Sequence, residues 1–182
     1  MAQSAQHLME VRTMRKIPAF IFALGLAMTV SGYPACSQEN AEQAALIKAL
    51  GSAKVSLQEG LTASQREGRP ISAKFELEEG KLQLSVYTMK DEKFFEVVID
   101  HRTGKVSKVA PITEGEDLVH AKSQSAAMAK AKISLKQAVD RARDATAVRA
   151  VSVTPDVKDG HGVASVLLVK GQNFKTVEER LD

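Results

Sequence analysis

Tryptophan is absent, and aromatic residues make up only 4% of the 182 positions. The 25 basic and 22 acidic residues are mixed in sign along the chain. The stacking platforms and basic stripes by which proteins hold nucleic acid are therefore missing, and no nucleic-acid partner is expected. Cysteine occurs once, at Cys36, so no disulfide can close within the chain and no multi-cysteine zinc site can form. Also missing are the nucleophile elbow G-x-S-x-G, a phosphate loop and a dinucleotide fingerprint. No catalytic, cofactor-binding or metal-binding residue is assigned, and the chain is not expected to be an enzyme. What is present, 44% hydrophobic and 26% charged residues, is the composition of a globular protein.

The longest charge-free apolar run covers residues 17–30, shorter than the roughly 20 residues that a membrane-spanning helix needs. Arg12, Arg15 and Lys16 precede it, and Ser31, Gly32, Pro34 and Ala35 follow. A basic start, a short apolar middle and a small-residue end form the pattern of a secretory signal peptide, here residues 1–37. Ala35 at −3 and Ser37 at −1 predict a mature chain from Gln38, periplasmic or secreted. Translation starts at Met1 or at Met14, the latter placing Arg15 and Lys16 directly before the apolar run. Two alternatives stay open. The segment can be retained as an anchor, or Cys36 can be the lipidated first residue of a lipoprotein, although Tyr33-Pro34-Ala35 departs from the usual leucine-led lipobox.

The rest of the chain repeats itself. Lys54-Val55-Ser56-Leu57 recurs as Lys132-Ile133-Ser134-Leu135, and each copy opens a helical pattern with a capping box, Ser56 with Glu59 and Ser134 with Gln137. The first helix runs over residues 57–67 and stops at Gly68 and Pro70. Strand-like alternation follows, with Ile71, Ala73, Phe75 and Leu77 on one face, then Leu82, Leu84 and Val86, then the run 94–100. The second copy places its helix at 135–145 and strands near 148–154, 163–169 and 174–179. Val163 to Val169 is apolar on both faces and is expected to be covered on both. The predicted fold class is therefore α+β: a tandem repeat of a small module, one helix packed on a three-stranded antiparallel sheet, joined by a helical linker. The predicted organisation is a short helix within 38–53, module 1 at 54–112, a helical linker at 113–131 rich in Ala, Lys, Gln and Ser, and module 2 at 132–182.

A capped helix, a strand hairpin, a final apolar strand and the tail Asp100-His101-Arg102-Thr103-Gly104-Lys105-Val106 together resemble the PepSY domain. Module 1 resembles it over 54–109. Module 2, over 132–182, lacks the Thr-Gly turn and reads as a truncated copy. Such domains occur in propeptides of secreted metalloproteases and in cell-envelope proteins. The resemblance implies a non-catalytic binding module outside the cytoplasm, with a protein partner, a protease among the candidates, and a role in protease regulation. The alternative is a structural envelope protein or lipoprotein without inhibitory activity. A membrane is a partner only if Cys36 is lipidated or the signal segment is retained.

The chemistry-bearing residues support no sharper reading. His7, His101, His120 and His161 show no close ligand spacing. Asp156, Asp159 and Gly160 lack the ligand run of a calcium loop. The pairs Glu78-Glu79 and Glu178-Glu179 read as solvated strand faces. Phe94-Phe95 puts aromatics on both faces of one strand, with one ring expected in the core and the other either under a neighbouring helix or in a contact surface.

Overall fold

The capping boxes predicted at both helix starts form. Ser56 Oγ accepts from the Glu59 amide at 3.2 Å, while the Ser56 amide donates to Glu59 Oε2 at 2.7 Å. The second box repeats this, with Gln137 N to Ser134 Oγ at 3.2 Å and Ser134 N to Gln137 Oε1 at 2.9 Å. Each satisfies two amides that a helix start otherwise leaves free. The backbone amide of Ser56 also holds the Glu59 carboxyl below its ordinary pKa.

The computed structural model describes residues 35–143 and 148–182. The proposed signal segment lies outside the described residues except for residues 35–37, which open the first helix. The helices are α1 (Ala35–Leu50), α2 (Leu57–Ser64), α3 (Gly115–Ala129) and α4 (Leu135–Ala142). The strands are β1 (Arg69–Glu78), β2 (Lys81–Lys90), β3 (Lys93–Ile99), β4 (Val106–Ile112), β5 (Arg149–Lys158), β6 (His161–Lys170) and β7 (Asn173–Arg180). The described residues belong to a single compact unit.

Two separate three-stranded sheets, each under one helix, are not what forms. All the strands join one antiparallel seven-stranded sheet in the order β4-β3-β2-β1-β5-β6-β7, with four α-helices among the described residues. Two physical causes account for the difference. A three-stranded sheet would leave β1 and β5 as open edges with apolar inner faces. Here the two edges pair with each other, Ala73 opposite Val153 and Lys74 opposite Ser152. In addition, Val106–Ile112, where the sequence predicts no strand, pairs with β3 as a fourth strand.

The halves correspond element by element: a leading helix, a capped helix and three strands. The leading helix of the second half is α3, which sequence reasoning treats as a linker. The entry to each capped helix is pinned in the same way. Lys54 N and Val55 N donate to the His101 carbonyl at 2.9 and 3.0 Å, and Lys132 N and Ile133 N to the Leu181 carbonyl at 2.6 and 3.1 Å.

One hydrophobic core serves both halves. Leu57, Leu61, Ile71, Leu84, Val97, Val139, Val153, Val166 and Leu181 are all buried within it. Burying each Leu or Ile contributes about 1.5–3 kcal/mol relative to exposure. At Gly60, α2 approaches β2 so closely that a Cβ would sit 2.5 Å from Leu84 Cδ2. Strand alternation puts Tyr87 and Met89 on the opposite face from Leu84. There they meet α3: the Tyr87 hydroxyl donates to Asp117 at 2.7 Å, and Ser125 Oγ lies 3.0 Å from Met89 Sδ. β6 lies between β5 and β7, one strand in from the sheet edge, with Val163, Val166, Leu168 and Val169 buried.

Candidate functional site: the basic edge strand

The site begins at the turn that leads into β4. Asp100 Oδ1 accepts from the amides of Arg102 at 2.9 Å and Thr103 at 2.8 Å, and the Asp100 carbonyl accepts from Gly104 N at 2.8 Å. Gly104 takes φ +74, a conformation that a side chain resists. The amides of Thr103 and Arg102 hold the Asp100 carboxyl below its ordinary range. The Asp100 amide donates to the Lys105 carbonyl at 2.9 Å, closing the turn and starting the new strand.

β4 pairs with β3 on one side and, among the described residues, with no strand on the other. Its register runs from Phe94 opposite Ile112 through Val97 opposite Val109, with an irregularity at Val98/Ile99. Ser107 Oγ donates to the Val98 carbonyl at 3.0 Å beside that irregularity. Pro111 has no amide hydrogen, so it belongs on the unpaired side of an edge strand. Alternation then directs the N–H and C=O of Val109 outward as well, while those of Ala110 and Lys108 face β3. Val106 and Val109 are 36% and 41% exposed, and Lys105 and Lys108 are exposed beside them. The outward side thus presents the Val109 N–H with the Val109 and Pro111 carbonyls, and apolar and cationic side chains lie alongside.

The opposite edge is different. On β7 the Glu178 carboxylate pairs with Lys158, while Arg180 bonds Asp182 at 3.0 Å. His161 Nδ1 lies 2.6 Å from Asp182. Charged side chains of both signs flank β7, the usual defence of an edge strand.

Beside the start of β4 lies an open cleft of about 790 Å³. It is bounded by the end of α1, the β1–β2 hairpin and the turn carrying His101 and Arg102. His101 Nδ1 is buried there with no hydrogen-bond partner among the described residues. On the face of the sheet away from α2, a polar network runs through module 1. Gln83 Nε2 donates to Ser85 Oγ at 2.7 Å, Ser85 Oγ donates to Glu96 at 3.0 Å, and Lys74 pairs with Glu76 at 2.7 Å. Burial pushes the Glu96 carboxyl up, and the Ser85 hydroxyl partly offsets it. Burial and Asp117 push the Tyr87 phenol up in the same way. Ser85 therefore accepts from Gln83 and donates to the Glu96 carboxylate, one link in a polar network across this face.

The other residues weighed from the sequence fall apart in space. His7 lies outside the described residues. His120 is exposed on α3, and His161 opens β6. Asp159 and Gly160 form the β5–β6 turn with positive φ, and Asp156 Oδ1 accepts from the Val157 amide at 2.7 Å. No group of three His, Cys, Asp or Glu able to hold a metal is present among the described residues. Glu78 ends β1, and Glu79 occupies the following turn at φ 49. Phe94 packs against the core, and Phe95 lies opposite Pro111 at the β4 edge.

Sequence reasoning missed β4 itself. The only signals were Val106 and Val109, three apart instead of two, with Pro111 beyond them. Compared with protein-family models, curated proteins and solved structures, the chain matches none.

Proposed function

We propose that this chain is an exported, non-catalytic binding protein of the PepSY type, which captures an extended segment of a protein partner along β4. The partner class we assign is a secreted or periplasmic protease, whose activity falls when one of its extended segments is held. The observation that carries this reading is the unpaired outer side of β4, with Val106 and Val109 exposed on it. Strand addition draws affinity from main-chain hydrogen bonds and specificity from the alternating side chains. Export rests on the pattern of residues 12–37, and the PepSY assignment rests on the capped helix and on the tail at residues 100–106. No helix among the described residues is long and apolar enough to cross a membrane.

The test compares the full chain with its Val109→Pro variant. That substitution removes one outward donor and leaves the bonds from β4 to β3 in place. Both proteins are added to a panel of extracellular proteases and residual activity is measured. Loss of activity with the parent chain, relieved in V109P, is the expected result. Equal behaviour of the two proteins, or no effect on any protease, removes the protease assignment and favours a structural role in the envelope.

A further inference from the structure

The charge along β4 narrows the partner's chemistry. This step rests on the strand-addition reading and names the segment that would be captured. From Arg102 to Thr113 the chain carries Arg102, Lys105 and Lys108 and no Asp or Glu. Lys105 and Lys108 are exposed, and neither forms an ion pair among the described residues. This edge therefore carries exposed positive charge beside its open backbone, with Glu96 across the strand pair the acidic group that feels Lys108. On β7, by contrast, Glu178 and Arg180 are held in direct ion pairs.

The register assigns each charge to a face. Val109 lies opposite Val97, which is fully buried on the same side of the sheet as Leu84 and α2. Lys108 lies opposite Val98, on the other side, where Glu96 and Ser85 also lie. An added strand alternates in the same way. Its residues on the Val109 side meet apolar surface, and its residues on the Lys108 side meet a cation.

We infer that β4 accepts an acidic extended segment in which apolar residues alternate with Asp or Glu. A second copy of this chain is a poor occupant. In the antiparallel register that sets Lys108 opposite its own copy, like charges on neighbouring strands destabilise the pairing. Pro111, lacking a donor, would also break the ladder in both partners.

The test uses two fluorescent synthetic peptides of equal length, one alternating valine with glutamate and one alternating valine with lysine. Binding to the full chain is followed by fluorescence anisotropy at low and at raised salt. The valine–glutamate peptide is expected to bind, to weaken as salt screens the charges, and to lose about tenfold in affinity to the K105E/K108E variant. Because both lysines are exposed, that variant should fold, as circular dichroism would verify. V109P should weaken the same peptide without changing its salt dependence. If the valine–lysine peptide binds as tightly, the charge assignment is wrong while strand addition stands. If neither peptide binds, both fall. If the valine–glutamate peptide binds equally to parent and V109P, the acidic ligand sits elsewhere and the assignment to β4 is overturned.

Discussion

Arg69 and Arg149 each hold the other half of the molecule. Arg149, the first residue of β5, donates to the carbonyls of Leu50 and Ala53 at the end of α1, the latter at 3.0 Å. Arg69, the first residue of β1, donates to the Met128 carbonyl near the end of α3 at 2.6 Å. Each guanidinium thus adds a donor to carbonyls at or just past a helix end, where positive charge is favoured. Leu50 and Met128 also accept the amides of Ala53 and Ala131. Gln58 and Asp140, bonded at 3.1 Å, join the two capped helices between these ends.

This arrangement predicts that the halves unfold together. Arg149→Ala and Arg69→Ala should each cost about 1–3 kcal/mol, the range for losing a hydrogen bond to a charged group. Denaturant unfolding, followed by circular dichroism, should remain a single transition in both variants. Two separated transitions in either one would show that the shared core does not couple the halves.

The contact between α2 and β2 gives a second prediction. Gly60→Ala forces its methyl against Leu84, which is fully buried, and should destabilise by about 1–3 kcal/mol. Leu84→Ala should cost about 2–5 kcal/mol on its own. The double variant should cost less than the two added together, because each change makes room for the other. Corresponding positions in the second half carry Ala138 and Ala164, both fully buried, a more even division of the space. Strict additivity in the double-mutant cycle would contradict the close approach.

Glu96 supplies the pH dependence. Its folded-state pKa is raised by burial, so the folded state binds its proton more tightly than the unfolded chain does. Stability from this group is therefore present below the unfolded carboxylate pKa and is lost as pH rises through the raised folded value. Glu96→Gln keeps an acceptor for Ser85 and removes the buried charge. Its melting temperature should exceed that of the parent at pH 7, and the gap should close as pH falls below about 4. A gap that widens on acidification would reverse the sign of this account.

Asp100 works in the other direction. Its carboxyl is held low by the amides of Thr103 and Arg102. The stability it contributes is present above the unfolded pKa and is lost as pH falls through the lower folded value. Asp100→Ala should lower the melting temperature at neutral pH, with the difference shrinking in acid. It should also loosen the start of β4, seen as faster amide exchange at Val106 and Ser107. Unchanged exchange there would separate the turn from the strand.

The local elements were legible because their signals are local. Ser56 with Glu59, and Ser134 with Gln137, specify helix starts within one turn of chain. The alternation Ile71, Ala73, Phe75 specifies a strand with one buried face, and all three are buried. The union of the sheets was not legible, because the β1–β5 ladder rests on Ala73, Lys74, Ser152 and Val153, which carry no mark of mutual preference. The clamps were hidden for a similar reason: Arg69 and Arg149 bond to backbone carbonyls, and any residue supplies those. β4 escaped notice because its irregular pairing near Val98 and Ile99 spoils the period of two between Val106 and Val109. The candidate site therefore depends on the one strand whose pattern is least regular.

The most direct test of strand addition is hydrogen exchange at single amides of the full chain, followed by NMR, with and without each of the two alternating peptides. The account predicts strong slowing at the outward Val109 amide with the valine–glutamate peptide, and little change at Lys108 and Ala110, which already face β3. Unchanged exchange at Val109 with both peptides, or protection appearing on β7 or the helices instead, would contradict it.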